Sequence, residues 1–184
     1  MEDLELLISE AKKRNIYLMF DMVFNHTSTY HEWFQKALSG DQKYKDYYFF
    51  KKGKNDNPPT NWESKFGGNA WKYVEEFDEY YLHLFDETQA DLNWKNPEVR
   101  KEMANIINFW IEKGIKGFRF DVINLIDKES FEDDFEGVGK RFYTDRPLVH
   151  TYLRELAQNS FGQYDDIITV GEMSATSIEN CIGY

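Results

Sequence analysis

Three apolar runs, each ending in a carboxylate, restrict this chain to very few folds. They are IYLMFDMV (residues 16–23), IKGFRFDV (115–122) and IITVGEM (167–173), and their acids are Asp21, Asp121 and Glu172. Nearly continuous apolar runs suit strands of a parallel sheet covered on both faces. A lone carboxylate in such a run is costly unless it is paired or functional. Helical spacing fills the stretches between the runs. Leu4, Leu7, Ile8 and Ala11 precede the first run, and Asn15 stops that helix. NPEVRKEMANIINFWIEKG precedes the second, with Asn96 as N-cap, Pro97 at the first helical position and Gly114 as the stop. Its stripe is Val99, Met103, Ile106, Ile107 and Trp110. A third helix spans roughly Leu148 to Asn159. Alternating helices and strands predict an α/β fold with a parallel sheet. In barrels of that class, active sites are assembled at the C-terminal strand ends from several strands.

Within GFRFDVIN, strand alternation puts Arg119 and Asp121 on one face and Phe118, Phe120 and Val122 on the other. The apolar face needs a helix layer behind it. The polar face holds either a structural ion pair or a carboxylate kept ionised for nucleophilic or general-base work. Alternation also places Glu172 with Ile168 and Val170, and no cation neighbours it in the sequence. His26, just beyond the first run, is either a capping or core histidine or part of the same site.

Residues 27–95 break the rhythm and predict a small irregular subdomain, with strands in KDYYFF and EYYLHLF and turns in GKNDNPPTN and at Gly67-Gly68. Its aromatics suit a sugar-binding cleft or, nearly as well, a small aromatic core. After the second run come an acidic stretch, DKESFEDDFEG, and a basic one, GKRFYTDRP. The acidic stretch lacks the ligand spacing of a calcium loop and reads as a solvated surface. In the basic stretch, Lys140, Arg141 and Arg146 are either a phosphate-binding cluster or a solvated turn offsetting those acids. The chain has 22 basic and 33 acidic residues and a net charge of −11, which excludes a basic nucleic-acid or anionic-membrane surface. The N-terminus does not read as a signal peptide, and no apolar stretch is long enough to span a membrane. The one cysteine, Cys181, rules out an internal disulfide, and a cytoplasmic location is expected.

With these residues in view, the chain resembles the α-amylase family of glycoside hydrolases. DMVFNH, GFRFD and VGEM resemble three of its signatures, and residues 27–95 resemble its domain B, the insertion after the third barrel strand. DLNWKNPEVR resembles the oligo-1,6-glucosidase and α-glucosidase branch. SKFGGNAW, GKRFYTD and VGEMSATSIENC look most like the branch that hydrolyses trehalose 6-phosphate, although Arg146 stands where that family's TDGP-like stretch has glycine.

The resemblance implies a partial (β/α)8 barrel: residues 1–26 reach the third strand, 27–95 form domain B, and 96–184 run from the third helix past the fifth strand. It implies Asp121 as nucleophile and Glu172 as general acid/base. Asp21, His26 and Arg119 would bind the sugar or brace the site, and Phe66 and Phe85 would wall the pocket. Neither a metal nor another cofactor is implied. The partners would be a small sugar and the remaining barrel segments, since a whole barrel takes about 250 residues. A third catalytic acid belongs to a later signature, so a slice of this length is not expected to turn over alone. The alternatives are an oligo-1,6-glucosidase or α-glucosidase, or a non-catalytic homologue serving as a binding module; the five site residues from Asp21 to Glu172 argue against the last.

Overall fold

The computed structural model describes residues 1–184. Helix α1 (Glu2–Lys12) carries Glu2, Asp3 and Glu5 in its first turn and Lys12 in its last, the order the helix dipole favours. Asn15 leaves it at φ +58°, a left-handed geometry asparagine tolerates. Strand β1 (Met19–Met22) follows, and then β2 (His26–Ser28) opens the insertion. Inside the insertion are α2 (Glu32–Leu38), α3 (Gln42–Lys45), β3 (Phe50–Lys51), β4 (Trp71–Val74) and β5 (Glu79–Leu82). Strand β6 (Gln89–Asp91) pairs antiparallel with β2, placing His26 opposite Asp91, so the insertion leaves where it entered. Strands β3, β5 and β4 form their own antiparallel sheet.

Helix α4 (Pro97–Glu112) begins as its sequence predicts: the Asn96 side chain accepts from the Glu98 amide at 3.0 Å. Asn96→Ala is expected to cost about 1 kcal/mol in a denaturant titration. A loss under a few tenths would mean that water caps the helix equally well. Its buried stripe is Val99, Met103, Ala104, Ile107 and Ile111, and Trp110 meets Phe20 of β1 edge-on at 4.9 Å. Strand β7 (Gly117–Phe120), helix α5 (Leu148–Gln158), strand β8 (Ile168–Gly171) and helix α6 (Ile178–Cys181) complete the chain.

The frame is a parallel sheet in the order β1-β7-β8, registered Asp21↔Arg119↔Val170. A Cβ at Gly117 would sit 2.8 Å from that of Met19, so glycine is what lets these two strands pass so closely. Phe20, Met22, Phe118 and Phe120 line the face packed on α4 and α5, with Phe118 fully buried. Burying each such side chain contributes about 1.5–3 kcal/mol.

Two expectations are corrected, and one reading left open is decided. The sheet is covered on one face only: Met19, Ile168 and Val170, on the face shared with Asp21 and Arg119, are 46%, 65% and 48% exposed. No element of the 184 residues packs there. Most aromatics of the insertion are core: Tyr47, Tyr48, Trp62, Trp71 and Tyr81 are buried, packed ring against ring, so they are not free to line a cleft. The acidic stretch is also not simply a solvated run. Asp127, Lys128 and Asp134 are buried, because the loop docks on the insertion. Phe131 packs among Phe49, Trp62 and Trp71, and the Asp134 carboxylate accepts the Gly139 amide at 3.0 Å. Gly139, at φ +91°, lies so close to the Trp62 ring that any side chain would strike it.

Candidate active site

The sheet delivers its acids at one end because all three strands run in parallel. The ladder continues past the strands and fixes the residues that follow them. The Asp121 amide donates to the Met22 carbonyl at 3.1 Å, and the Glu172 amide to that of Phe120 at 2.8 Å. Val122, directly after Asp121, sits at φ +39°, in the left-handed region where a β-branched residue is strained. Such a residue costs about 1–3 kcal/mol and tends to mark functional sites. Here it turns the chain sharply: Asp121 stays on the open face while Val122 enters an apolar cluster with Leu125 and Tyr143.

One guanidinium gathers the acids. Arg119 Nη1 lies 2.5 Å from Asp21 Oδ1, and Nη2 lies 2.9 Å from Asp121 Oδ1 while also contacting Glu172 Oε2. Two oxygens bound to one nitrogen stand no more than roughly 6 Å apart. Three carboxylates around one cation leave an excess of negative charge at the strand ends. No cation neighbours Glu172 in the sequence; the β7–β8 register is what brings Arg119 to it.

His26 borders this cluster. Burial holds its imidazole below the usual histidine range; Asp91 and Asp121 pull it back up and Lys128 pushes it further down. Its ring packs against Phe85 at 5.2 Å, and Phe85 meets Phe66 edge-on at 5.9 Å. Phe66 is 70% exposed, so this aromatic pair turns its outer ring to solvent. Because the folded pKa lies below the unfolded one, the unfolded chain takes up the proton first as pH falls. Unfolding free energy is thus expected to be fully present above about 6.5 and to drop from there toward the folded pKa. His31 is also shifted down by burial, so the check is the difference between parent and His26→Gln across that window. Superimposable pH profiles would remove His26 as the source.

Two structural hubs had no clear sequence signal. The first is Lys128, fully buried, whose ammonium lies 2.8 Å from Asp91 Oδ2 and donates to Asn25 Oδ1 and the Leu125 carbonyl, each at 2.7 Å. Burial lowers its pKa and Asp91 raises it back. The second is Asp145. Burial pushes its carboxyl up, but hydrogen bonds from Thr176, Asn124 and Asn180 outweigh that and leave it low. Asn124 in turn holds Ser174 by two bonds, so this hub fixes the segment just after Glu172.

Of the three basic candidates, Arg146 pairs with Glu129, and Arg141 lies 3.3 Å from Asp134 and 3.9 Å from Glu136. These carboxylates already compensate both arginines. Lys140 is exposed and forms no ion pair. No group of three or more His, Cys, Asp or Glu side chains is arranged to hold a metal ion, and no helix is long and apolar enough to cross a membrane.

Against known proteins, the model of the alpha amylase catalytic domain matches residues 1–184. The chain belongs to the α-amylase family. It is 55% identical to the trehalose-6-phosphate hydrolase of Bacillus subtilis over its whole length, covering 33% of that protein. It is 46% identical to the oligo-1,6-glucosidase of Bacillus cereus, with 97% of the chain and 33% of the relative covered. The crystal structure of the Bacillus licheniformis trehalose-6-phosphate hydrolase superimposes at a TM-score of 0.96, with 55% identity over 100% of the chain and 34% of that structure. Isomaltulose synthase from Erwinia rhapontici, as an E295A mutant holding D-glucose, reaches 0.94 at 41% identity, over 100% and 34%. The chain thus spans about a third of the length of the relatives it matches. Its parallel sheet is part of the α-amylase family barrel.

Proposed function

We propose that these residues carry the nucleophile and the acid/base of a retaining glycosidase acting on the α-glucosidic bond of trehalose 6-phosphate. The supporting observation is the single Arg119 nitrogen that touches both Asp121 and Glu172. Carboxylates about 5–5.5 Å apart suit retention, whereas inverting pairs stand about 6.5–9.5 Å apart to admit a water. A shared nitrogen, which keeps the nearest oxygens within about 6 Å, supports the first spacing.

In this reading Asp121, paired with Arg119, attacks the anomeric carbon as the bond to the leaving oxygen breaks, and Glu172 gives that oxygen its proton. Glu172 then takes a proton from water, whose oxygen attacks the same carbon and releases Asp121 as carboxylate. To act as the acid, Glu172 must leave the Arg119 guanidinium; Asp21 and Asp121 remain to hold that cation. The surplus negative charge at the strand ends stabilises the oxocarbenium-like transition state. Phe85 and Phe66 supply an apolar wall for a sugar ring, with His26 packed against Phe85.

The substrate assignment rests on the 55% identity to the two trehalose-6-phosphate hydrolases. It is tested with the full-length gene product, by following by NMR the anomeric form of the glucose released from trehalose 6-phosphate and, separately, the rate at which isomaltose is cleaved. Initial release of α-glucose, with trehalose 6-phosphate preferred, is the expected result. Initial β-glucose would exclude retention. Cleavage of isomaltose alone would assign the protein to the oligo-1,6-glucosidase reading.

A further inference from the structure

One cation of the insertion reaches the segment just after Glu172. Lys65 Nζ donates to Ser174 Oγ at 2.8 Å, and its ammonium lies 5.7 Å from the centre of the Phe85 ring. The residue is half-buried and none of the ion pairs includes it, although the chain carries a net charge of −11. Both ends of the contact are pinned. The Lys65 amide donates to the Leu84 carbonyl at 2.8 Å, and Ser174 exchanges two hydrogen bonds with buried Asn124.

A second unpaired cation stands nearby. The Glu63 amide donates to the Val138 carbonyl at 3.3 Å, and Gly139 lies on Trp62, so the turn that carries Lys140 is docked beside residues 62–65. Burial lowers the proton affinity of Lys65, and the Lys140 charge lowers it further. Two ammonium groups that repel one another, with a hydroxyl between the loops and no acid pairing either, gain stability from a bound dianion.

We propose that Lys65, with Lys140 and the Ser174 hydroxyl, forms an anion site for a phosphate monoester on the leaving sugar. This rests on the assignment of Glu172 as the acid that protonates the leaving oxygen. Ser174 is two residues beyond Glu172, at most roughly 7 Å of chain, about the width of one hexose. A phosphate on the far carbon of the leaving ring reaches that point. Each lysine acts as a point charge, and the hydroxyl donates to a phosphate oxygen.

The test uses the full-length gene product and its Lys65→Gln, Lys140→Gln and Lys65→Arg variants. Two readouts are compared: kcat/KM for trehalose 6-phosphate relative to 4-nitrophenyl α-glucoside, and competitive inhibition of the aryl glucoside reaction by glucose 6-phosphate. Loss of a charge-assisted contact should lower that ratio about 10- to 100-fold for Lys65→Gln, mainly through KM, and weaken glucose 6-phosphate inhibition by a similar factor. Lys140→Gln should shift both in the same direction, and Lys65→Arg should recover part of the loss. If the two substrates fall together, Lys65 only braces the loops and the proposal is overturned. It is also overturned if the ratio and the inhibition stay at parent values. A parent that ignores trehalose 6-phosphate refutes the substrate assignment. The inhibition then decides the anion site separately: relief by Lys65→Gln sustains it, and absence of inhibition in the parent removes it.

Discussion

Asp121→Asn is expected to lower kcat of the full-length gene product by roughly 10⁴-fold or more while leaving its unfolding transition in place. Asparagine is nearly isosteric, and its amide oxygen can still accept from Arg119. The backbone bond from residue 121 to the Met22 carbonyl does not involve the side chain. What disappears is the negative charge proposed to attack the anomeric carbon, and with it the proposed covalent route. Arg119 keeps Asp21 and Glu172 as partners, so the strand ends should not rearrange. The measurement pairs steady-state kinetics with a thermal melt. Activity within tenfold of the parent would move the nucleophile to another carboxylate, and Asp21, on the same guanidinium, would be the first to test.

Lys128→Ala should produce the largest loss of stability. Its ammonium is surrounded by Asp91, Asn25 and the Leu125 carbonyl, and both Lys128 and Asp91 are fully buried. Truncation leaves Asp91 as an uncompensated charge in the interior, a change that typically costs about 3–5 kcal/mol. The loss should appear as a lower denaturation midpoint. Because Asn25 adjoins His26, KM should rise as well. Pairing Lys128→Met with Asp91→Leu, which removes both charges, should regain much of the lost stability. A Lys128→Ala protein within 1 kcal/mol of the parent would mean that water reaches Asp91, and the hub would not be what joins the insertion to the sheet.

The two residue sets behind these predictions differ in how visible they were in the sequence. Asp21, Arg119 and Asp121 could be read because strand alternation is a local rule, and two apolar runs left them as the only charges on their faces. The convergence of Glu172 on the same end followed from the helix–strand rhythm. Its contact with Arg119 did not, since strand register is set across the sheet, 53 residues apart in the chain (172 − 119). Lys128 ends the apolar run VINLID, where a lysine ordinarily reaches for solvent, and its partner Asp91 is 37 residues back (128 − 91). Nothing local distinguishes that pair from two surface charges. Arg141 and Arg146 mislead for a related reason: a basic cluster looks free in sequence until its own loop folds the neighbouring acids onto it.

The pairing of β2 with β6 gives the insertion the character of an exchangeable module. Its entry and exit are clasped side by side, so the strand ends that hold Asp121 and Glu172 are indifferent to how much chain lies between them. Each doubling of a closed loop adds only about 0.6 kcal/mol of closure entropy, so segments of different length and lining could be substituted at little thermodynamic penalty. The clasp is made partly of His26 itself. The histidine that packs against the Phe85 ring is therefore also one that fastens the module, and a transplanted insertion would have to bring its own partner for His26 in order to dock in the same register.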